Sequence, residues 1–414
     1  MAEKIIPATS VNAAADQGPV LLQRAFFFFV YLFLASNFFS IAVNSLALGM
    51  IAVLWLATML VKRRFMVAST PLDYFFLAYL IAELVASVFS YNPAQSFLFS
   101  KRLLLIGVVY LFASVLSSKR IAMQSVAVLL GSACTVGILG VAKLVFADPE
   151  STTRLGIFQF YMTTSELMMM TALLLIPFII HHNTPRKVRL AALLGLIPVL
   201  ISLYATVTRG AYLAAAAGVL FIALVKQKKL ILPLLAVIIL LMVFAPPFVE
   251  SRLHSIVDLQ HPENASRMLL WGTGLRIFAD HPFVGVGDID LYELLVQYAP
   301  TGTAIEWGHL HNVLLQLLVT LGTLGFVVVV LLFVKIFITE WRILRQVKDD
   351  WFAGSVALGA LAVFVGFQVN GLTEWSFGDQ EVVLLFWTSI GLAVGVGRLF
   401  SQDASLSGTP NQGA

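Results

Sequence analysis

Apolar runs about as long as a bilayer is thick recur along this chain, and nothing else constrains its fold as much. Twelve can be marked, at roughly 20–39, 41–61, 72–90, 103–118, 121–146, 160–180, 190–206, 210–225, 230–248, 310–338, 351–371 and 381–399. A helix needs roughly 20 apolar residues to cross a membrane. Inside a bilayer only helices and closed barrels satisfy their own backbone groups. The runs are continuous, whereas barrel strands are short and alternate. The expected fold is therefore all-α and polytopic, with about 12 transmembrane helices.

Composition agrees. Of 414 residues, 59% are hydrophobic and 12% charged, against roughly 25% charged in an average soluble domain. A soluble enzyme, a disordered protein and a disulfide scaffold are excluded. Cys134 is the sole cysteine, so no internal disulfide or cysteine zinc cage can form. Residues 1–19 lack the layout of a cleaved signal peptide and read as a polar cytoplasmic N-terminus. The Ser/Gly/Pro-rich stretch 401–414 reads as a disordered cytoplasmic tail. Between them, 20–400 forms one transmembrane domain.

Lysine and arginine orient it. With the N-terminus inside and twelve spans, 18 of the 26 basic residues fall inside and 8 outside. That bias favours both termini in the cytoplasm, and it explains the basic pI without nucleic acid. Six of the eight outer cations are arginines. A planar guanidinium suits phosphate and carboxylate, although an interfacial arginine can equally anchor headgroups.

One long loop, 249–309, lies on the outer side. Asn264 or Ser266 can cap a helix through Met268, Leu269, Trp271, Leu275 and Phe278. Arg267 and Trp271 share a face of it, and Pro282 stops it. Asp288 can cap a second amphipathic stretch through Leu291, Leu294, Leu295 and Tyr298. Two such helices would form a lid at the membrane boundary.

The strongest signal follows, HLHNVLLQLLVTLGTLGF from His309. His311 lies where the tenth span begins. The positive end of a helix dipole favours neutral imidazole, the form that a general base needs. Asn312 can cap that helix or hydrogen-bond a sugar. Gly322 and Gly325 would let a neighbouring helix come close. His309 and His311 point to different helix faces, against a two-histidine zinc site. Asp288 and Asp290 read as caps more readily than as metal ligands. Arg209 sits in a short outer turn relieved by Gly210, and Arg154 in another outer loop. Glu374, Asp379 and Glu381 fall in the last outer turn, where an acid can orient a histidine or pair with an arginine.

These residues resemble the O-antigen ligase/polymerase family of bacterial membrane glycosyltransferases. Its pattern is His, then Asn, Ser or Gln, nine residues, Gly, two residues, then Gly, Thr or Tyr. His311, Asn312, Gly322 and Gly325 meet every fixed position. Arg209 before Gly210 and Arg267 ahead of Trp271 match the family's two outer arginines. His281, Pro282, Gly285 and Gly287 match its HPxxGxG stretch. Arg154-Leu155-Gly156 resembles its Arg-x-Gly segment but lacks the Pro-Asn that often follows. The layout fits over most of the chain.

The resemblance implies glycan transfer from undecaprenyl pyrophosphate to a hydroxyl of lipid A-core, on the periplasmic face of the inner membrane, with no metal and no cofactor. The catalytic residues would be His311, Arg209 and Arg267. Donor pyrophosphate or sugar would be bound by Arg209, Arg267, Arg276, Arg154, Asn312 and Trp271, with Glu374 or Asp379 orienting. Within the family, an O-antigen polymerase or a protein O-oligosaccharyltransferase is the alternative. A transporter of lipid-linked sugars is a reading from another class, but transporters carry charges near the midplane, and here they gather at the outer mouths.

Overall fold

The computed structural model describes residues 20–146, 154–226, 228–230, 255, 258 and 260–406. Among these residues there is no strand. The helices are α1 (Val20–Ser36), α2 (Ile41–Lys62), α3 (Asp73–Val88), α4 (Pro93–Phe99), α5 (Gly107–Val115), α6 (Lys119–Phe146) and α7 (Tyr161–Ile180). They continue with α8 (Arg186–Ala205), α9 (Arg209–Lys226), α10 (Pro262–Asp280), α11 (Tyr292–Tyr298), α12 (Val313–Val347), α13 (Trp351–Asn370) and α14 (Gln380–Leu406). A 3₁₀ stretch, Ser100–Ile106, joins α4 to α5.

Nine helices of the described residues are long and apolar enough to cross a membrane, counting Pro93–Val115 as one. The chain is a polytopic all-α membrane protein. α1 and α3 are shorter, at 17 and 16 residues. The apolar run at 230–248 falls almost wholly outside the described residues. Three boundaries differ from the sequence expectation. The fourth run starts at Pro93, because Asn92 caps Gln95 N and Pro93 suits a first helical turn. The tenth continues to Val347, and the last helix runs on to Leu406.

The bundle has an inside and a lipid-facing outside. α7, α13 and α14 are buried on nearly all sides, whereas α2 and α8 turn most of their surface outward. Outward positions are apolar, such as Leu46, Val53, Leu56 and Leu60 on α2. In water such a surface would be an aggregation liability; against lipid it is the expected exterior. α13 packs between α7 and α9, and α14 packs on α5 and α13.

The segment before α12 has a small core of its own, built from Leu270, Ile277, Leu291, Leu295, Leu310 and Val319. It is fastened to α12 through a break in that helix. Gly322 has φ 63° and ψ −174°, far from helical values. The amides of Val286, Gly287, Thr323 and Leu324 bond to the carbonyls of Val319, Thr320, Pro282 and Phe283 at 2.8–3.2 Å. The loop thus supplies the hydrogen bonds that the broken turn lacks. A Cβ on Gly322 would lie 2.3 Å from the Phe283 carbonyl. So Gly322 admits the 282–287 loop, not a neighbouring helix as expected from its spacing. Gly285, at φ 72°, meets the same turn from the other side.

Candidate active site

α12 begins where Asn312 accepts a hydrogen bond from Leu315 N. Its amide also donates to Leu372 O at 3.0 Å, and Val313 N donates to Gly371 O at 2.6 Å. The entry to α12 is thereby laced to the turn between α13 and α14. His311, just before the cap, takes φ 47°, a left-handed value uncommon for a residue with a Cβ. It holds there because its neighbours are fixed on both sides. Leu310 N donates to Gln316 Oε1 at 2.9 Å, and Leu310 O accepts from Trp271 Nε1 at 2.9 Å.

This fold of the backbone puts His311 Nδ1 at 3.1 Å from Glu374 Oε2. The other carboxylate oxygen, Oε1, accepts from Arg267 Nη2 at 2.6 Å. All three side chains are largely buried. A carboxylate accepting from Nδ1–H fixes the imidazole tautomer and leaves Nε2 as the basic nitrogen. Arg267 and Trp271 do share a face of α10, and both serve the His311 segment.

One turn back along α10, Glu263 holds the second arginine pair. Arg209 Nη2 lies 2.8 Å from Glu263 Oε2, and its Nη1 donates to Ser255 O and Oγ at 2.6 and 2.7 Å. Arg154 reaches Glu263 Oε1 at 3.8 Å, donates to Val207 O at 2.9 Å, and stacks 3.8 Å over the Tyr161 ring. Glu263 and Arg267 sit four apart, so one helix face presents both clusters. Arg154, Arg209, Arg267, Trp271, His311 and Glu374 are thus gathered along α10 and the start of α12.

Other expected members stand apart. Arg276 is exposed and, among the described residues, bonds only its own helix, to Gly272 O and Thr273 Oγ1 at 3.4 Å. It is nine residues from Arg267, about half a rotation around the helix. Among the described residues Asp379 makes no hydrogen bond to His311; it accepts from Thr163 Oγ1 at 2.5 Å, and burial raises its carboxyl above the usual range. Asn312 is spent as the cap of α12.

Several local readings are corrected. α10 starts at Pro262, not after Asn264 or Ser266. Asn264 instead donates to Ser255 O and Asp258 O at 2.7 Å, bracing the strand of chain that holds Arg209. Asp288 does not cap α11, whose N-cap position is Leu291; Asp290 Oδ1 accepts from Tyr292 N at 2.9 Å just ahead of the helix. Asp288 is buried on Arg102 Nη2 at 2.7 Å. The strained residue before Arg209 is Val207, at φ 52°. Gly210 makes room for Thr373, whose Oγ1 would lie 2.6 Å from an added Cβ.

Sequence reasoning missed Glu263, and although it put Arg102 and His309 on the outer side it missed the pairing of Arg102 with Asp288 and the packing of His309 on His311. Glu263 had a legible signal, since it lies one helical turn before Arg267. His309 does not point away from His311 as a helical spacing of two would have it, because both precede α12 and the left-handed turn at His311 brings the rings together. Its ring centroid lies 4.2 Å from that of His311. Burial, then the neighbouring His311, push the His309 imidazole down to about 4, so it is neutral. Among the described residues no group of three or more His, Cys, Asp or Glu is placed to hold a metal ion.

No curated protein matches the chain. Among solved structures, a chain from "Structural coordination of polymerization and crosslinking by a peptidoglycan synthase complex" is 18% identical. That match covers 79% of this chain and 96% of the other at a TM-score of 0.45, too distant to carry an argument. A family model described as O-antigen ligase matches residues 194–330, which take in Arg209, Glu263, Arg267, Trp271 and His311. Over residues 194–330 the chain is similar to the O-antigen ligase family.

Proposed function

We propose that this protein is an O-antigen ligase. It transfers a glycan from undecaprenyl pyrophosphate to a hydroxyl of lipid A-core on the periplasmic face of a bacterial inner membrane. The observation that carries the reading is Glu374, which joins His311 and Arg267 through its two oxygens at 3.1 and 2.6 Å. A base oriented by a carboxylate beside a cation is what transfer from a pyrophosphate requires.

In this reaction the acceptor hydroxyl attacks the anomeric carbon of the donor. Its proton passes to His311 Nε2, the nitrogen that Glu374 leaves unbound. The bond from the anomeric carbon to the pyrophosphate oxygen breaks, and undecaprenyl pyrophosphate leaves with the electron pair. Direct displacement inverts the anomeric centre. General base catalysis of this kind contributes roughly 10²–10⁴-fold. Arg267 and Arg209 neutralise the leaving group, each charge-assisted hydrogen bond contributing about 1.5–3 kcal/mol. No step calls for a metal.

The test is a gel of cell-surface lipopolysaccharide from a deletion strain complemented with wild type or His311→Ala. Ligase loss leaves bare core in the deletion and in His311→Ala, at equal membrane expression. Core carrying a single repeat indicates a polymerase instead. Purified protein should keep full transfer in EDTA, and loss that magnesium or manganese restores counts against the metal-free mechanism.

A further inference from the structure

A cavity of about 900 Å³ opens beside His311 on the side of α2 and the Pro93–Val115 helix. Arg209, Arg267 and Glu374 do not line it. It is a separate chamber, joined to the catalytic histidine through His309. His311 N donates to His309 Nδ1 at 3.4 Å, so neutral His309 carries its proton on Nε2 and offers it as a donor.

The chamber has two chemistries. Its deep wall is apolar, with Leu48, Ile51 and Trp55 of α2 facing Leu104, Leu105 and Leu111. Those positions cover about 10 Å of α2 at 1.5 Å per residue, room for part of a lipid chain. Its rim is polar and carries Asp290, His309, Asp379 and Gln380, with Trp375 among them. Asp290 Oδ1 and Asp379 Oδ2 are held by Tyr292 N and Thr163 Oγ1. The second oxygen of each carboxylate has no hydrogen bond among the described residues. Gln380 donates to Ser45 Oγ at 2.8 Å, which leaves its carbonyl oxygen.

Carboxylates, an amide, an imidazole donor and an indole match a sugar: hydroxyls need acceptors and donors, and a pyranose face needs an aromatic ring. A pyrophosphate fits this rim badly. Arg102 is already matched by Asp288 at 2.7 Å, and Lys101 is the other cation of a lining that also carries Asp290 and Asp379. The donor anion belongs with Arg209 and Arg267.

Resting on the ligase reading, we propose that this chamber is the acceptor subsite, holding a glycolipid with its sugar on Asp290, Asp379 and His309 and its lipid against α2. His309 then positions the sugar so that one hydroxyl reaches His311 Nε2.

Two glycines provide the test. Gly49 and Gly107 line the chamber, and a Cβ on either meets nothing within 4 Å. Gly49→Phe and Gly107→Phe therefore fill the chamber without a clash at Cβ. Replacing a mid-helix glycine such as Gly49 also favours the helix itself. Gly131→Phe is the control, since Gly131 is equally open but lies outside the chamber. With purified protein, both filling variants should raise the acceptor KM about tenfold or more and leave the donor KM within about twofold, the signature of lost binding to one substrate. His309→Gln and Asp379→Asn should raise the acceptor KM as well. Binding of purified lipid A-core glycolipid, measured without donor, should weaken in the same variants and not in Gly131→Phe.

An unchanged acceptor KM in both filling variants overturns the proposal. So does a rise confined to the donor KM, which assigns the chamber to the polyprenyl substrate. If wild type transfers nothing, the ligase reading fails, and the binding measurement alone decides. Equal binding of the glycolipid by wild type and Gly49→Phe then overturns the chamber's role.

Discussion

His311 Nδ1 and Glu374 Oε2 are 3.1 Å apart although 63 residues separate them, and Glu374 gives its other oxygen to Arg267. In the proposed reaction this contact fixes the imidazole tautomer and ties His311 to Arg267. Glu374→Gln offers one carbonyl oxygen where two charged ones stood. It also admits the wrong imidazole tautomer. Turnover should fall by roughly two orders of magnitude or more, within the range for a misdirected base, while KM for either substrate changes little. Steady-state kinetics on purified protein check this, and near-wild-type kcat would dismiss Glu374 as the orienting group.

Arg209 and Arg267 are each held by a carboxylate, Glu263 and Glu374 respectively, and Glu263 lies one helical turn before Arg267 on α10. A lysine keeps the charge but loses the fork that reaches both carboxylate and phosphate. Arg209→Lys and Arg267→Lys should each depress kcat strongly, and alanine further. If both arginines act on one leaving group, the double variant should fall short of the product of the singles. Strict additivity in a double-mutant cycle would separate their roles.

Gly322→Ala should destabilise the whole end of the molecule that carries the site. Its Cβ would lie 2.3 Å from the Phe283 carbonyl, at a φ of 63°. That backbone costs about 1–3 kcal/mol for a residue with a side chain, before any clash. The 282–287 loop would then lose its seat on α12, and with it the support of α10. Thermal unfolding in detergent should show a lower midpoint and early proteolysis between α10 and α12. An unchanged midpoint would mean that the loop seat contributes little.

His309 gives a pH signature in stability. Its folded value of about 4 lies below the ordinary 6.5. For a depressed group, the stability is fully present above the unfolded value. It is lost as the pH falls from about 6.5 towards 4, because the unfolded chain binds the proton first. Besides His311, Trp307 packs on this ring, and Glu374 and Asp290 pull weakly the other way. His309→Gln should flatten the decline of the melting temperature across that window. An identical slope in variant and wild type would place the acid sensitivity elsewhere.

The sequence by itself determined the fold class and the two arginines and histidine worth following. Membrane character comes from run length, which is a local property, and eleven of the twelve expected runs overlap helices of the described residues, nine of which are long and apolar enough to cross a membrane. The i, i+4 relation of Arg267 and Trp271 is local as well. What decided between Glu374 and Asp379, five residues apart in one turn, was tertiary. Val313 N on Gly371 O and Asn312 Nδ2 on Leu372 O set the register of the two chain segments, and that register puts Glu374 on His311 and sends Asp379 to Thr163. The chamber beside His309 likewise follows from the left-handed turn at His311, which no spacing in the sequence encodes. Such a turn is unfavourable taken alone and persists only where contacts from α10, α12 and the 371–374 turn over-determine it.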